Sequence, residues 1–557
     1  MILKAVTAIL LDKTFNFEPK TALESKLLIK IILIQEERIM FMDSLKETLN
    51  DNFNVSVTDN GAVGYKTTGK ELLDINFSVS SMRNMSEQEI VDKFVKTFYE
   101  NKLWAVKWLF YVRDAREGVG ERRLFRICMK YLAEKHTNIA KATLNLVAEY
   151  GRYDDLLCLL DTDLENNIVE LFNNQLDEDM KNMNDNKPIS LLGKWLPSAN
   201  ASSKETKRLA HIIISKLGIT ERQYRKMLSK LRAYLKVVEV YMSKKEWGEI
   251  DYSAVSSRAN LIYNAAFLRN DEERRRAYLE SLQKGETKIN AGVLFPHDII
   301  HKYCEGSGWC RGIKNSDDVA LEEMWKALPD YVNGAGNTIC VADGSGSMTS
   351  SVGGTRVTAL DVTNALAIYF SERSSGQFKN NYITFSENPQ LVDFSNAKSL
   401  REKIEIASRH SEVANTNIEA VFNLILQTAI NKNMSQDELP QNILILSDME
   451  FDSCVGCDGG SIWSVNRPTK RLFEVFAERY AEHGYKLPRL VFWNICSRTG
   501  TIPVKENDLG VALVSGFSPA IAKMVLSNST DPLDCLLEQI NSERYEAVEN
   551  AIKDIVA

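Results

Sequence analysis

Apolar positions change their spacing near residue 335, and that change divides the chain. Before it they recur at helical intervals. Ile90, Val91, Phe94, Val95 and Phe98 follow the capping box Ser86-x-x-Glu89 and predict an amphipathic helix. Trp104, Trp108, Phe110 and Tyr111 predict the next, and two more follow at 124–135 and 139–150. Gly118 and Gly120 interrupt the pattern inside Arg113-Asp114-Ala115-Arg116-Glu117-Gly118-Val119-Gly120-Glu121-Arg122-Arg123, a turn crowded with charge. Ser202-x-x-Glu205 and Thr220-x-x-Gln223 open further helices, with Gly218 as a C-terminal cap between them. Helices joined by short turns, with almost no strand signal, argue for a helical-repeat domain over 85–334 that forms a solenoid or a ring, although no exact sequence repeat exists. Ahead of it, Asn60-Gly61, Gly64 and Gly69 mark turns, and 42–84 reads as an extended arm.

From 335 to 557 the period switches to strand–helix alternation. Strands are predicted at 337–342, 381–385, 442–446, 490–495 and 511–514. Helices are predicted at 355–374, 398–409, 417–431, 467–483 and 518–527. That order implies a doubly wound parallel sheet, reached through a connector at 310–334.

Composition narrows the classes. A chain of 557 residues with 44% hydrophobic and 26% charged residues is an ordinary multidomain globular protein. Nine scattered cysteines are no secreted disulfide framework and fit a reducing, cytoplasmic setting. No apolar run is long enough for a membrane span, so no membrane partner is expected. Residues 1–41 read as a non-native or disordered extension. Glu36-Glu37-Arg38 is encodable by a purine-rich stretch resembling a bacterial ribosome-binding site, which places the expected natural start at Met42.

The net charge of -7 gives no global signal for nucleic acid, but one segment departs from it. Residues 201–247 hold twelve Lys and Arg against four Glu. The candidates for RNA contact are Lys204, Lys207, Arg208, Arg222, Arg225, Lys226, Lys230, Arg232, Lys244 and Lys245, with Tyr224, Tyr234 and Trp247 interleaved. The bland alternative is a solvated helix face whose aromatics are core.

The most specific chemistry follows the first strand. Ile339-Cys340-Val341-Ala342 runs into Asp343-Gly344-Ser345-Gly346-Ser347, which puts a carboxylate and two hydroxyls at a strand's carboxyl end. Thr416 precedes a later helix, and Asp448 follows a later strand. Five hard oxygen donors suit Mg2+ or Mn2+ rather than zinc. Cys454-x-x-Cys457 has no second pair at zinc spacing, and His297, His301 and Cys304 read as a packed helix. There is no P-loop signature, and Ser345 has no assignable His–Asp partner.

Asp343, Ser345, Ser347, Thr416 and Asp448 resemble the metal-ion-dependent adhesion site of von Willebrand factor A domains. The resemblance implies that Ser345, Ser347 and Thr416 reach the ion directly or nearly so, with Asp343 and Asp448 acting largely through water. Helices followed by such a domain resemble the TROVE family, the Ro ribonucleoproteins. Closer still is a sister family of unknown function found in plants, fungi and viruses. Asn60-Gly61-Ala62, Thr67-Thr68-Gly69, Gly151-Arg152-Tyr153-Asp154-Asp155, Lys194-Trp195-Leu196-Pro197-Ser198, Ser447-Asp448-Met449-Glu450-Phe451-Asp452 and Ser515-Gly516-Phe517-Ser518-Pro519 look like its signatures. The match covers roughly 55–545. Ro proteins bind small RNAs and single-stranded RNA ends on a HEAT-like ring. That resemblance implies an RNA partner for the 204–245 face and a structural role for Arg113, Arg116, Arg122 and Arg123.

Three functions compete. The first is a non-enzymatic RNA-binding scaffold whose A domain docks an acidic side chain or a phosphate through its ion. The second is a metal-dependent protein–protein assembly module without RNA. The third, a metal-dependent phosphoryl-transfer enzyme, is weakest because the motif lacks the carboxylates that hold two ions.

Overall fold

The computed structural model describes residues 54–59, 63–305, 312–314, 316–332, 337–385, 389–410, 417–451, 472–503, 511–525 and 531–556. The stretch 1–41 and the pair Cys454 and Cys457 lie outside the described residues, as does Thr416. The chain has a helical region from about 55 to 330, followed by an α/β region built on a six-stranded, mostly parallel sheet.

The helical signals in the sequence act locally as expected. Ser86 caps helix Glu87–Glu100 through a complete capping box, and Thr220 does the same for Glu221–Tyr234. The third start shifts by one residue: Ser203, not Ser202, accepts the Thr206 N–H. The charged turn after helix Lys102–Arg113 needs its glycines. A Cβ on Gly118 would lie 2.0 Å from the Tyr111 carbonyl oxygen, and Gly120 has a φ of +82°. This close turn lets Glu121 N–H reach the Val112 carbonyl at 2.7 Å.

Ten strands are named in chain order. Val55–Val57 (β1) and Val63–Tyr65 (β2) form a ribbon in the arm, and Cys304–Glu305 (β3) pairs antiparallel with Gly312–Ile313 (β4). The main sheet contains Thr338–Asp343 (β5), Asn381–Phe385 (β6), Leu391–Asp393 (β7), Asn442–Ser447 (β8), Arg489–Asn494 (β9) and Val511–Ser515 (β10). Its order is β10-β9-β8-β5-β6-β7, parallel except for the β6–β7 pair at one edge. β5 is buried along its whole length because its apolar run lies centrally in the sheet. The short edge strand β7 gave no sequence signal: only three residues pair, and two are exposed.

Described segments near each end of the chain cross the boundary near 335. The arm is not extended throughout. It contains helix Glu71–Phe77, which packs against β10, and Tyr65 exchanges two backbone hydrogen bonds with Ile502 at 2.8 and 2.9 Å. Helix Glu546–Val556 returns to pack on Lys102–Arg113 and Thr137–Thr143. There the buried Lys107 ammonium meets Glu549 at 2.6 Å and Asn541 at 2.7 Å. None of the helices among the described residues is long and apolar enough to cross a membrane.

Candidate functional site

From β5 the chain proceeds to β6 on one side, and from the adjacent β8 it proceeds to β9 on the other. Loops part at such a topological switch point and leave a crevice at the carboxyl ends of the strands. Both candidate carboxylates stand there. Asp343 ends β5, and Asp448 follows Ser447, the last residue of β8.

The two carboxylates are each 1% exposed. Ser345 N–H donates to Asp343 Oδ1 at 2.8 Å, and the Ser447 hydroxyl donates to Oδ2 at 2.6 Å. The Ser345 and Ser347 hydroxyls lie 2.9 Å apart. Asp448 Oδ1 accepts the Glu450 N–H at 3.3 Å. Its Oδ2 is buried without a hydrogen-bond partner, with Arg498 Nε 4.0 Å away. Burial pushes the Asp343 carboxyl up to about 7, and the neighbouring Asp448 charge adds to the effect. Burial also raises Asp448, helped by the Glu450 charge and opposed by the Ser347 hydroxyl.

Two buried carboxylates that disfavour each other's charge, one with an oxygen left over, fit a cation. Their companions are the Ser345 and Ser347 hydroxyls, so the donor set is hard and all-oxygen, as Mg2+ or Mn2+ prefers. Among the described residues no three His, Cys, Asp or Glu side chains gather on one point. An ion held here would have two carboxylates and otherwise neutral oxygens, which would leave it electrophilic toward an outside anion.

The rest of the Ser447-Asp448-Met449-Glu450-Phe451 motif supports this pair. Met449 takes a φ of +65°, turning the chain sharply after β8. Glu450 is fully buried and accepts Asp59 N–H at 3.0 Å, Arg498 N–H at 3.0 Å and Thr499 N–H at 2.9 Å. It ties the arm and the loop after β9 to the segment that carries Asp448. The residues 497–500, Ser-Arg-Thr-Gly, follow a buried strand in the sequence, and that is the one signal by which this loop could have been found.

The basic face divides into exposed and engaged side chains. Lys204, Lys207, Arg222, Lys226, Lys230 and Lys245 are exposed and make no ion pair among the described residues. Arg222, Lys226 and Lys230 are four apart and form one stripe on helix Glu221–Tyr234. Others are engaged: Arg208 is clamped by Asp161 and Glu205, Arg225 pairs with Glu221 at 3.8 Å, and Lys244 pairs with Glu246 at 3.7 Å. Arg232 turns inward and donates to the Gly193 and Leu196 carbonyls and the Ser198 hydroxyl, so it is a packing residue rather than part of the exposed face. Tyr224 is wholly buried, its hydroxyl on the Pro197 carbonyl, and offers no stacking surface.

Arg113 and Arg122 have structural partners. Asp155, fully buried, accepts from Arg113 at 2.7 Å, Arg126 at 2.8 Å and Arg122 at 3.2 Å. Burial works against its charge, but Arg113 and Arg126 outweigh that and hold its carboxyl below the usual range. Arg123 donates to the Met82 and Met85 carbonyls, and Arg116 to the Glu149 carbonyl. His297 is buried in helix Pro296–Tyr303, and burial pushes its imidazole down to about 4, so it is neutral packing.

No local pattern of residues announces a concavity of about 1600 Å3 in the helical region, reached also by Thr355 and Val357. Eight Arg and Lys side chains line it against three carboxylates, although Arg113, Arg122 and Arg232 are held by the contacts above and Arg258 pairs with Asp298 at 2.5 Å. Lys194 and Trp195 sit at its wall, with the Arg152 guanidinium 4.1 Å from the Trp195 ring. Leu191, Ile262 and Val293, all about half exposed, line it as well.

Residues 337–554 match the family described as Domain of unknown function (DUF7788), and 58–167 with 215–337 match Domain of unknown function (DUF2828). The uncharacterized protein L728 of Acanthamoeba polyphaga mimivirus is 31% identical over 525 residues, covering 87% of this chain and 87% of its own.

Proposed function

Because the chain belongs to the family that joins a DUF2828 region to a DUF7788 region, we propose a function that uses both: a non-enzymatic RNA-binding scaffold with a divalent-ion docking site. The helical region takes single-stranded or small RNA, and the sheet's switch point holds Mg2+ or Mn2+ that docks an acidic ligand. The observation that carries the RNA half is the concavity. Its volume exceeds the roughly 300–1,000 Å3 that a small ligand fills, and cationic and exposed apolar side chains share its wall. Phosphates suit the cationic side chains, and base faces suit the Trp195 ring on the same wall. The unpaired stripe Arg222, Lys226 and Lys230 adds a salt-sensitive outer contact. This reading extends the resemblance to TROVE proteins and to the metal-ion-dependent adhesion site. Ultraviolet crosslinking of the protein from cells, with sequencing of bound RNA and mass spectrometry of adducts, tests it. Adducts are expected on the peptides holding Trp195 and Tyr263, which both line the concavity; recovery of no RNA above an untagged control refutes it.

A second reading, metal-dependent capture of a protein partner, is favoured by one observation, the unpartnered Asp448 Oδ2 beside Asp343. It predicts that Asp343→Ala or EDTA abolishes partner capture with RNA affinity unchanged. Nuclease or phosphatase turnover lost in the same variant would instead support an enzyme.

A further inference from the structure

We propose that Arg498 belongs to the ion centre as a resident counter-cation, and that Asp59 of the arm draws it aside, so that ion binding and arm docking strengthen each other. The inference rests on the ion-centre reading above. The backbone at Arg498 is fixed. Its N–H donates to the buried Glu450 at 3.0 Å, Thr499 N–H does so at 2.9 Å, and Ser497 N–H holds Asn494 Oδ1 at 2.8 Å. Its side chain is half exposed and lies between two carboxylates. Nε is 4.0 Å from Asp448 Oδ2, the oxygen without a hydrogen bond, and Nη2 is 3.2 Å from Asp59 Oδ2.

The arm is anchored to the same segment that carries Asp448. The Thr58 hydroxyl donates to the Phe451 carbonyl at 2.6 Å, and Asp59 N–H donates to Glu450 at 3.0 Å. The guanidinium serves the two carboxylates unequally, closer to Asp59 at 3.2 Å than to Asp448 at 4.0 Å. A divalent ion on Asp448 repels Arg498, which then turns wholly to Asp59 and tightens the arm. Without Asp59, Arg498 stays with Asp448 and competes with the ion. Thermodynamic linkage makes the two effects reciprocal.

The test is Mn2+ binding to the full chain, measured by the electron paramagnetic resonance of free Mn2+ at fixed ionic strength. Wild type binds, and Asp343→Ala loses binding. Arg498→Gln tightens Mn2+ by about three- to tenfold, the scale of a partly exposed charge interaction. Asp59→Asn weakens it by about threefold, and in the Arg498→Gln background the same change has no effect. Hydrogen exchange across residues 56–59 slows on adding Mn2+ in wild type but not in Arg498→Gln. If wild type binds no Mn2+, the ion centre falls and this inference with it. If wild type binds and Asp343→Ala does not, but Arg498→Gln leaves affinity unchanged or weaker, the inference alone is overturned. It is overturned too if Asp59→Asn weakens Mn2+ equally with and without Arg498, which would reduce its role to long-range charge.

Discussion

Replacing Asp155 by Asn removes the one buried anion on which three arginines of the first helical turns converge. The Arg122 and Arg126 side chains are 40% and 30% exposed, so water can compensate them. The Arg113 side chain is only 6% exposed and has no such recourse. Breaking a buried pair by removing one partner costs about 3–5 kcal/mol. With two of the three arginines able to hydrate, the expected loss lies at the low end, about 3 kcal/mol. Urea unfolding followed by tryptophan emission measures it, since Trp108 is buried in the same helical region. The double replacement Arg113→Met with Asp155→Leu removes both buried charges and should recover most of the loss. RNA affinity of the double variant should stay near wild type. The reasoning is refuted if Asp155→Asn costs under about 0.5 kcal/mol, or if Arg113→Met leaves stability intact while RNA affinity collapses. Either result would make these arginines ligands rather than scaffold.

Three further outcomes follow from the structure. Because burial raises Asp343 to about 7 in the folded chain, its share of stability is fullest below the ordinary carboxylate range and is lost as pH rises toward 7. The gain in melting temperature on adding Mg2+ should therefore be small at pH 5.5 and grow by pH 8; a gain independent of pH across that window would count against Asp343 as a ligand. Glu549→Ala strands the buried Lys107 with Asn541 alone and should cost about 1–2 kcal/mol, discounted because Glu549 is 42% exposed; equal urea midpoints would show that the C-terminal helix is not held there. Arg232→Ala should lower thermal stability without changing the salt dependence of RNA binding, since its guanidinium is spent on the 193–198 segment.

Local signals read correctly where a single residue decides the outcome. Ser86 and Thr220 bring their own hydrogen-bond acceptors, and β5 and β8 are apolar enough to be central strands wherever they lie. Asp343 and Asp448 were legible because each follows such a strand directly. What brings them together is the order of β5 and β8 in the sheet, which no local pattern encodes. Arg498 carries no signal for the same reason, and Glu450 stands in a motif that does not reveal its role. Their meaning depends on a contact between loops, and on Asp59, nearly four hundred residues earlier in the chain. The basic segment misled in part because charge count is blind to partners. Asp161, which clamps Arg208, lies outside the window, and Arg232 satisfies backbone carbonyls rather than facing solvent. Helix Glu71–Phe77 hid behind the turn residues before it, and its apolar side chains serve a sheet far along the chain.

The central claim, that the helical region holds single-stranded RNA, is tested most directly by fluorescence anisotropy with a labelled single-stranded RNA across a salt series. The chain should bind with an affinity that falls steeply with salt, losing about 0.7 in the log–log slope for each phosphate contact removed. Lys194→Glu, at the concavity wall, should weaken binding most. Arg222→Glu, Lys226→Glu and Lys230→Glu together should flatten the slope. Absence of binding at low salt, or affinity indifferent to salt and to both sets of changes, would contradict it.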